Sequence, residues 1–205
     1  MIAIIDYGVG NLFSVEKAFA ALGGQAKITN NPEEIEAAEK LVLPGVGAFG
    51  DCMKNLESSG LIPLLKKEIA SGKPLLGICV GLQILFDGSE ESPEAKGLGF
   101  ISGQVQRIQA TGLKVPHMGW NRLHIAGSQL NKELFAGVEQ DKEYVYFVHS
   151  FHAVPEDKNV ITATTNYGGD ITAAIQCGNI MATQFHPEKS GDVGLRILDN
   201  FCKSR

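Results

Sequence analysis

Residues 2–86 alternate short, continuously apolar runs with longer amphipathic ones, and this rhythm constrains the fold more than any other feature of the sequence. The paired runs are 2–5 with 12–22, 40–43 with 49–70, and 74–78 with 80–86. A strand that is apolar at every position is buried on both faces, and an amphipathic helix covers such a strand with its apolar side. The pattern predicts an α/β fold with a doubly wound, mainly parallel sheet.

The second half of the chain has a different pattern of short, strand-like segments. These segments are 101–108, 144–148, 160–164, 171–176 and 180–184. Turn-forming residues at 167–170 and 178–179 favour hairpins, so we expect a mixed or antiparallel extension of the same core. An amphipathic stretch at 191–202 predicts a final helix that packs back on the sheet. Because the sequence contains no repeat or linker, we expect a single domain spanning residues 1–205.

Charge and cysteine spacing exclude several classes of function. The net charge is −5 and the pI is near 5.5, and no run of basic residues could neutralise adjacent phosphates, which argues against nucleic-acid binding. Residues 1–6 lack the basic flank and length of a signal peptide or a membrane span. The four cysteines are too far apart in sequence for a zinc motif or a compact disulfide framework. We therefore expect a cytoplasmic protein with reduced thiols and no metal or cofactor.

Cys79 stands between Gly77 and Gly81, where the apolar run 74–78 gives way to the run 80–86. This arrangement indicates a nucleophile elbow, because a sharp strand-to-helix turn exposes the nucleophile and flanking glycines avoid steric clashes. Unpaired N–H groups at the start of a helix would favour a thiolate there. The alternative is a small buried thiol with no chemical role.

A second cluster, His186-Pro187-Glu188, supplies an imidazole and a carboxylate. In an extended segment, side chains two residues apart point the same way, so His186 and Glu188 could address one point in space. A carboxylate that holds one ring nitrogen leaves the other free to face a thiol. Cys79, His186 and Glu188 together are candidates for a catalytic triad, whereas the alternative for the cluster is a surface turn.

Thiolate attack on a carboxamide produces an oxyanion, which backbone N–H groups stabilise. The amide of Val80, the first after the candidate nucleophile, is one expected donor. A second is expected from Val46 or Gly47, because their loop follows the apolar run 40–43 and should emerge at the same edge of the sheet. The alternative for this loop is an ordinary strand-to-helix turn.

Together these stretches closely resemble the class I, or triad-type, glutamine amidotransferases, whose glutaminase domain carries a Gly-x-Cys-x-Gly elbow and a His-Pro-Glu segment. More narrowly, five stretches resemble the glutaminase subunits of imidazole glycerol phosphate synthases. They are residues 7–11, 44–47, 116–121, 146–150 and 186–190, of which the sequence Pro-His-Met-Gly-Trp-Asn at 116–121 discriminates most strongly. The resemblance covers the whole chain and implies a flavodoxin-like class I glutamine amidotransferase fold.

The resemblance implies hydrolysis of L-glutamine to L-glutamate and ammonia through a glutamyl thioester. Cys79 would be the nucleophile, His186 the general acid and base, and Glu188 the carboxylate that orients the imidazole. Ammonia would pass to a separate (β/α)8-barrel cyclase subunit in a heterodimer, which forms imidazole glycerol phosphate and AICAR in histidine biosynthesis. No cofactor is implied.

The resemblance also implies two sets of contact residues. The expected substrate-binding residues are Gly47, Gln83, Glu91, His149, Ser150 and Phe151. At Phe151 the family often has tyrosine, so only a backbone contact is expected there. The expected partner interface comprises Asn11, His117, Met118 and Trp120.

Several of these residues have simpler interpretations. Glu91 could belong to a solvated acidic loop, Trp120 to the core, and Asn11 to a turn or helix N-cap. His117 has the same ambiguity as Trp120. His124 and His152 fit strand or surface positions, and Cys52, Cys177 and Cys202 fit core or structural ones.

Other functions remain open at this point. The same triad would serve a stand-alone cysteine hydrolase of γ-glutamyl or peptide bonds, or the glutaminase subunit of a different synthase. A non-catalytic doubly wound binding module is a third possibility, in which the elbow is only a ligand-binding turn.

Overall fold

The structure is a computed structural model that describes residues 1–126 and 133–204. The helices in these residues are α1 (Leu12–Ala21), α2 (Pro32–Ala37), α3 (Phe49–Ser58), α4 (Ile62–Ala70), α5 (Val80–Gln83) and α6 (Gly191–Lys203). The strands are β1 (Ile2–Ile5), β2 (Ala26–Thr29), β3 (Lys40–Gly45), β4 (Leu75–Cys79), β5 (Gly88–Ser89), β6 (Gly103–Arg107), β7 (His117–Arg122), β8 (His124–Ile125), β9 (Tyr144–His149), β10 (Phe151–Pro155), β11 (Ile161–Asn166), β12 (Asp170–Cys177) and β13 (Ile180–Thr183). None of the described helices combines the length and the apolar character needed to cross a bilayer.

Eight of the described strands form the central sheet, in the order β2-β1-β3-β4-β13-β12-β11-β8. The first five strands in that order run parallel, and β12, β11 and β8 continue the sheet in antiparallel fashion. The parallel part follows the 2-1-3-4-5 order of flavodoxin-like folds. The expected doubly wound, mainly parallel sheet with an antiparallel extension is confirmed.

The three apolar runs of the N-terminal half form β1, β3 and β4 in the centre of this sheet. Every residue of these strands is buried, as expected for strands covered on both faces. Helix α6 buries Ile197, Leu198 and Phe201 completely, which confirms the expected amphipathic helix at 191–202. The two expected hairpins are also present, joining β11 to β12 and β12 to β13.

Two expected helices differ from the observed ones. The run 49–70 is two helices rather than one, because the chain turns at Gly60 with φ +70° and α4 then begins with Pro63 in its first turn. The run 80–86 is helical only as far as Gln83. The carbonyl groups of Ile84 and Leu85 instead accept hydrogen bonds from residues 98–101, which holds the chain in turns beyond that point.

The strands in the second half of the chain are divided among three sheets. Strand β6 pairs with β10 and β5 in a three-stranded sheet, and β9 pairs with β7 in a two-stranded one. Alternating hydrophobicity identifies a strand but not its partner, so the pattern alone does not separate these sheets.

The parallel strands bring three chain segments to one edge of the central sheet. Strands β3, β4 and β13 are neighbours, so their carboxyl ends at Gly45, Cys79 and Thr183 lie side by side. The segment that follows β13 carries His186 and Glu188. Ligand sites of open α/β sheets lie at this edge, and the candidate site is found there.

Candidate active site

Cys79 occupies a strained strand-to-helix turn. It is the last residue of β4, has φ 57° and ψ −113°, and is followed at once by α5. A positive φ is uncommon for a residue with a side chain and persists only where the surrounding structure enforces it. The turn has the form expected of a nucleophile elbow, and its thiol lines a cavity.

The glycines on either side of Cys79 are required by close backbone contacts. A Cβ atom at Gly81 would lie 1.8 Å from the carbonyl oxygen of Leu43 on the neighbouring strand. A Cβ atom at Gly77 would lie 2.9 Å from the carbonyl oxygen of Gly81. Only glycine at both positions lets α5 pack this tightly against β3 and β4.

His186 and Glu188 form a buried pair beside this turn. The Nδ1 atom of His186 lies 2.7 Å from Oε1 of Glu188, and the two side chains are 2% and 1% exposed. The sequence suggested that the two side chains lie on one side of an extended segment. In the structure, Pro187–Lys189 form a single 3-10 turn, and the pair meets across this turn. Ser190 fixes this turn, because its hydroxyl donates to the His186 carbonyl and accepts from the Tyr146 N–H.

The surroundings of His186 favour its protonated form. Burial alone would lower the pKa of the imidazole, but interactions with the side chains of Cys79 and Glu188 outweigh burial and raise the pKa to about 9. The imidazole is therefore protonated at neutral pH, and its positive charge lies beside Cys79. The side chains of Cys79, His186 and Glu188 thus form a contiguous set, in the order that the candidate triad requires.

The cavity at Cys79 has a volume of about 270 Å³. Its lining includes every residue expected to bind substrate or an oxyanion, together with Cys79, His186, Pro116 and Val148. The expected residues in the lining are Val46, Gly47, Val80, Gln83, Glu91, His149, Ser150 and Phe151. The cavity is of the size and mixed polarity that suit a small polar molecule.

An amide network lies against the nucleophile. The side-chain nitrogen of Gln83 donates to the carbonyl oxygen of Phe151 and to Oε1 of Gln184, each at 3.0 Å. The side-chain nitrogen of Gln184 in turn lies 3.8 Å from Sγ of Cys79. Gln184 is fully buried and was not among the residues expected from the sequence.

His149 and His117 extend this network to strand β7. His149 donates from Nδ1 to the Phe151 carbonyl at 2.8 Å, so its Nε2 accepts from Nδ1 of His117 at 3.0 Å. The other ring nitrogen of His117 accepts from the side chain of Asn121. Burial lowers the pKa of His149 to about 3 and that of His117 to about 4, so both imidazoles are neutral at physiological pH.

Glu91 does not lie in a solvated loop. Its carboxylate accepts a hydrogen bond from the N–H of Phe49, the first residue of α3, at 2.8 Å. The neighbouring Ser92 accepts from the N–H of Gly50 at 3.1 Å. Both side chains therefore cap the N-terminus of α3, and Glu91 also faces the cavity.

Two buried side chains hold the loop that carries Val46 and Gly47. The hydroxyl of Tyr7 donates to the Pro44 carbonyl at 2.6 Å, and the thiol of Cys52 donates to the Val46 carbonyl at 3.4 Å. Burial raises the pKa of Cys52 to about 11, so this thiol keeps its proton. Because a peptide group is planar and trans, the N–H of Gly47 points away from α3, which carries Cys52.

The expected interface residues fall into two groups. Met118 and Trp120 are 63% and 56% exposed, which excludes the core interpretation of Trp120. Asn11 is partly exposed at the N-cap position of α1 and accepts from the Ser14 hydroxyl. His117 is only 3% exposed and its side chain points into the hydrogen-bond network, away from the surface where Met118 and Trp120 lie.

Of the two contact residues that the sequence did not reveal, only Gln184 has a signal that could have identified it. Gln184 lies two residues before His186, and the alternation of side chains along an extended segment would have placed it on the same side. Cys52 has no such signal, because its contact with Val46 depends on how α3 packs. The expected core position of Cys52 is confirmed, since it is fully buried.

Comparisons with known proteins agree with this geometry. A sequence model of the family described as glutamine amidotransferase class-I matches residues 3–204. The protein named imidazole glycerol phosphate synthase subunit HisH of Syntrophotalea carbinolica is 51% identical, with 98% of each chain covered. The protein of the same name from Methanothermobacter thermautotrophicus is 54% identical, with 99% of this chain and 98% of that one covered.

Solved structures of low sequence identity share the fold. A crystal structure of a glutamine amidotransferase aligns with a TM-score of 0.75 at 22% identity, covering 98% of this chain and all of the other. A chain in the structure of PurLQS from Thermotoga maritima aligns with a TM-score of 0.75 at 18% identity, covering 98% and 97%.

Proposed function

Because this chain belongs to the class I glutamine amidotransferase family, we propose that it is the glutaminase subunit of an imidazole glycerol phosphate synthase. It hydrolyses L-glutamine to L-glutamate and ammonia and supplies the ammonia to a synthase partner. The observation that carries the proposal is the buried set of Cys79, His186 and Glu188 at the cavity, with 2.7 Å between the last two side chains.

The first half of the reaction forms a thioester. The Cys79 thiolate attacks the side-chain carboxamide carbon of glutamine, and the N–H groups of Val80 and Gly47 stabilise the resulting oxyanion. The protonated imidazole of His186 then gives its proton to the amide nitrogen, the carbon–nitrogen bond breaks, and ammonia leaves. Glu188 holds the imidazole in place and stabilises its positive charge.

The second half returns the enzyme to its starting state. His186, now neutral, takes a proton from water as the oxygen attacks the thioester carbon. The same N–H groups stabilise the second tetrahedral intermediate. This intermediate then expels the Cys79 thiolate, and glutamate remains in the cavity. His186 is again protonated, so no group needs an external proton donor between turnovers.

The proposed substrate contacts separate the two charges of the amino acid. Glu91 receives the α-ammonium group, because it is the carboxylate in the cavity lining. Gly47, His149, Ser150 and the backbone at Phe151 lie around the rest of the substrate, and Gln83 contributes its side-chain oxygen. Held in this way, glutamine presents its carboxamide to Cys79.

We further propose a cytoplasmic heterodimer with a (β/α)8-barrel cyclase subunit, in which residues 1–205 act as one domain. Support for the interface comes from the exposed Met118 and Trp120 on β7, since large apolar side chains at the surface are typical of binding sites. Support for a reducing compartment comes from the four cysteines, all in the described residues and all with free thiols. The partner uses the ammonia to form imidazole glycerol phosphate and AICAR.

Glutamine hydrolysis with and without the cyclase subunit tests this function. We expect hydrolysis to rise when the partner and its acceptor substrate are added. Cys79→Ala should abolish glutamine-dependent synthesis but leave ammonium-dependent synthesis by the complex intact. Loss of both activities would indicate a folding or interface defect in the variant.

The alternative functions give different results in the same assays. Fast turnover of γ-glutamyl peptides without a partner would indicate a stand-alone hydrolase. A protein whose Cys79 resists a glutamine-like chloroketone, and which hydrolyses no glutamine with the partner present, would be a non-catalytic binding module.

A further inference from the structure

Gln184 is a buried side chain in contact with the candidate nucleophile that the mechanism above does not use. It directly follows β13 and lies two residues before His186. Its backbone N–H donates to the Ala173 carbonyl at 2.8 Å, which ties the residue to the central sheet. Its side-chain nitrogen is 3.8 Å from Sγ of Cys79, within hydrogen-bond distance for sulfur.

The surrounding hydrogen bonds allow one orientation of the Gln184 amide. The Phe151 carbonyl can only accept a hydrogen bond, so Gln83 must present its NH₂ group to it. The same NH₂ group faces Gln184, which must therefore present its oxygen to Gln83. With the oxygen fixed in this way, the NH₂ group of Gln184 necessarily faces the Cys79 sulfur.

We infer that Gln184 is a further residue acting on the nucleophile, and that its side-chain N–H donates a hydrogen bond to the Cys79 thiolate. The assignment deepens the proposed function and rests on Cys79 being the nucleophile. A neutral amide suits this position, because it stabilises negative charge on sulfur without supplying a proton of its own. It also holds the sulfur from the sheet side while His186 contacts it.

The hydrogen bond acts at two points of the reaction. It stabilises the thiolate in the resting enzyme, and it is weakened when sulfur loses its charge on forming the thioester. It forms again when the thiolate is expelled by water, so it lowers the energy of the leaving group. At that step the protonated imidazole of His186 also faces the departing sulfur, so the two groups stabilise the leaving thiolate together.

The test is the pH dependence of alkylation of Cys79 by iodoacetamide, read on the Cys79 peptide by mass spectrometry. Gln184→Met keeps the side-chain volume but removes the donor. We expect the midpoint of the alkylation curve to move upward by about one pH unit, and the rate at pH values below both midpoints to fall about tenfold. The kcat/KM for glutamine, measured with the partner, should fall by a similar factor.

Gln176→Met is the matched control. Gln176 is a buried glutamine on β12, adjacent to β13, and it lies outside the cavity lining. Its substitution removes a buried amide from the same sheet without touching the sulfur. We expect its alkylation midpoint to equal that of the unchanged protein.

Gln184→Leu guards against a folding failure of Gln184→Met. Leucine also lacks a hydrogen-bond donor but differs from methionine in shape, so the midpoint should move upward by a similar amount. The inference is wrong if a folded Gln184→Met or Gln184→Leu protein has the midpoint of Gln176→Met. Alkylation needs no glutamine, so absence of glutaminase activity in the unchanged protein would refute the proposed function separately.

Discussion

His117 and His149 are two buried imidazoles that face each other across β7 and β9, where they occupy paired positions. Each ring nitrogen has a partner, in a chain that runs from Asn121 to the Phe151 carbonyl. His117 is also stacked between the rings of Phe147 and Tyr167. This arrangement accommodates two neutral rings and no added proton, because a proton on either ring would leave two donors facing each other.

The lowered pKa values of these histidines predict acid sensitivity. The unfolded chain binds a proton on each histidine near pH 6.5, whereas the folded protein binds them only near pH 4 for His117 and near pH 3 for His149. The free energy of unfolding therefore falls as the pH is lowered through this window. In His117→Phe we expect the free energy of unfolding to fall less steeply with decreasing pH, by up to about 1.4 kcal/mol per pH unit, as measured by urea unfolding.

Phe147→Leu serves as the control for lost packing, since Phe147 stacks on the same imidazole at 4.7 Å. It should lower the free energy of unfolding by about 1–3 kcal/mol at every pH and leave the slope unchanged. If the free energy of unfolding depends equally steeply on pH in His117→Phe and in the unchanged protein, then His117 takes up its proton equally in the folded and unfolded states, and the prediction is wrong.

At the scale of secondary-structure elements, the N-terminus of α3 connects the cavity to the loop that carries Val46 and Gly47. Glu91 and Ser92 accept hydrogen bonds from the first two N–H groups of the helix, at Phe49 and Gly50. The loop with Val46 and Gly47 immediately precedes this helix. Glu91 thus caps α3 and also lines the cavity, whereas Ser92 caps α3 but lies outside the cavity lining.

Glu91→Ala and Ser92→Ala separate the two roles. Each removes one cap from α3, so each should lower the free energy of unfolding by about 1 kcal/mol. Only Glu91→Ala removes the proposed partner of the substrate ammonium group, and it should raise the KM for glutamine roughly 10–100-fold. Steady-state glutamine hydrolysis with the partner measures this. A similar KM change in both variants would mean that Glu91 acts only through the helix.

Some elements are predictable from the sequence because their burial is continuous. Strands β1, β3 and β4 are apolar at almost every position, and this follows from their place in the middle of a covered sheet. Strand β7 was not predicted, because its burial is not continuous. Its residues range from buried to exposed, and the burial of His117 and Asn121 depends on partners elsewhere in the chain. Local pattern carries no information on such partners.

The same distinction applies to the candidate site. Cys79 and its glycines were predictable because the elbow is local and its steric demands fall on neighbouring residues. Gln184 acquires its side-chain contact with Gln83 from packing between distant parts of the chain, and Cys52 acquires its contact with the Val46 carbonyl from the way α3 packs against the loop before it. A backbone carbonyl such as that of Val46 cannot be singled out in sequence, since every residue has one.

At the scale of the whole molecule, one strand presents different faces to the interior and to the surface. On β7, His117 points into the network that ends at the Phe151 carbonyl, while Met118 and Trp120 are exposed. Trp120 packs edge-on against Tyr146, which keeps the indole in a fixed position at the surface. An exposed aromatic side chain that is already held in place loses little conformational freedom on binding.

Trp120 is therefore the expected energetic centre of the partner interface. Trp120→Ala should weaken binding to the proposed cyclase subunit about 30-fold, the loss typical of a buried aromatic hot spot. Trp120→Phe should recover part of the affinity, because it restores an aromatic ring in contact with Tyr146. Titration calorimetry with the purified cyclase subunit measures both, and chloroketone labelling of Cys79 at an unchanged rate shows that the site is intact. Equal affinity of Trp120→Ala and the unchanged protein would place the interface on another face of the molecule.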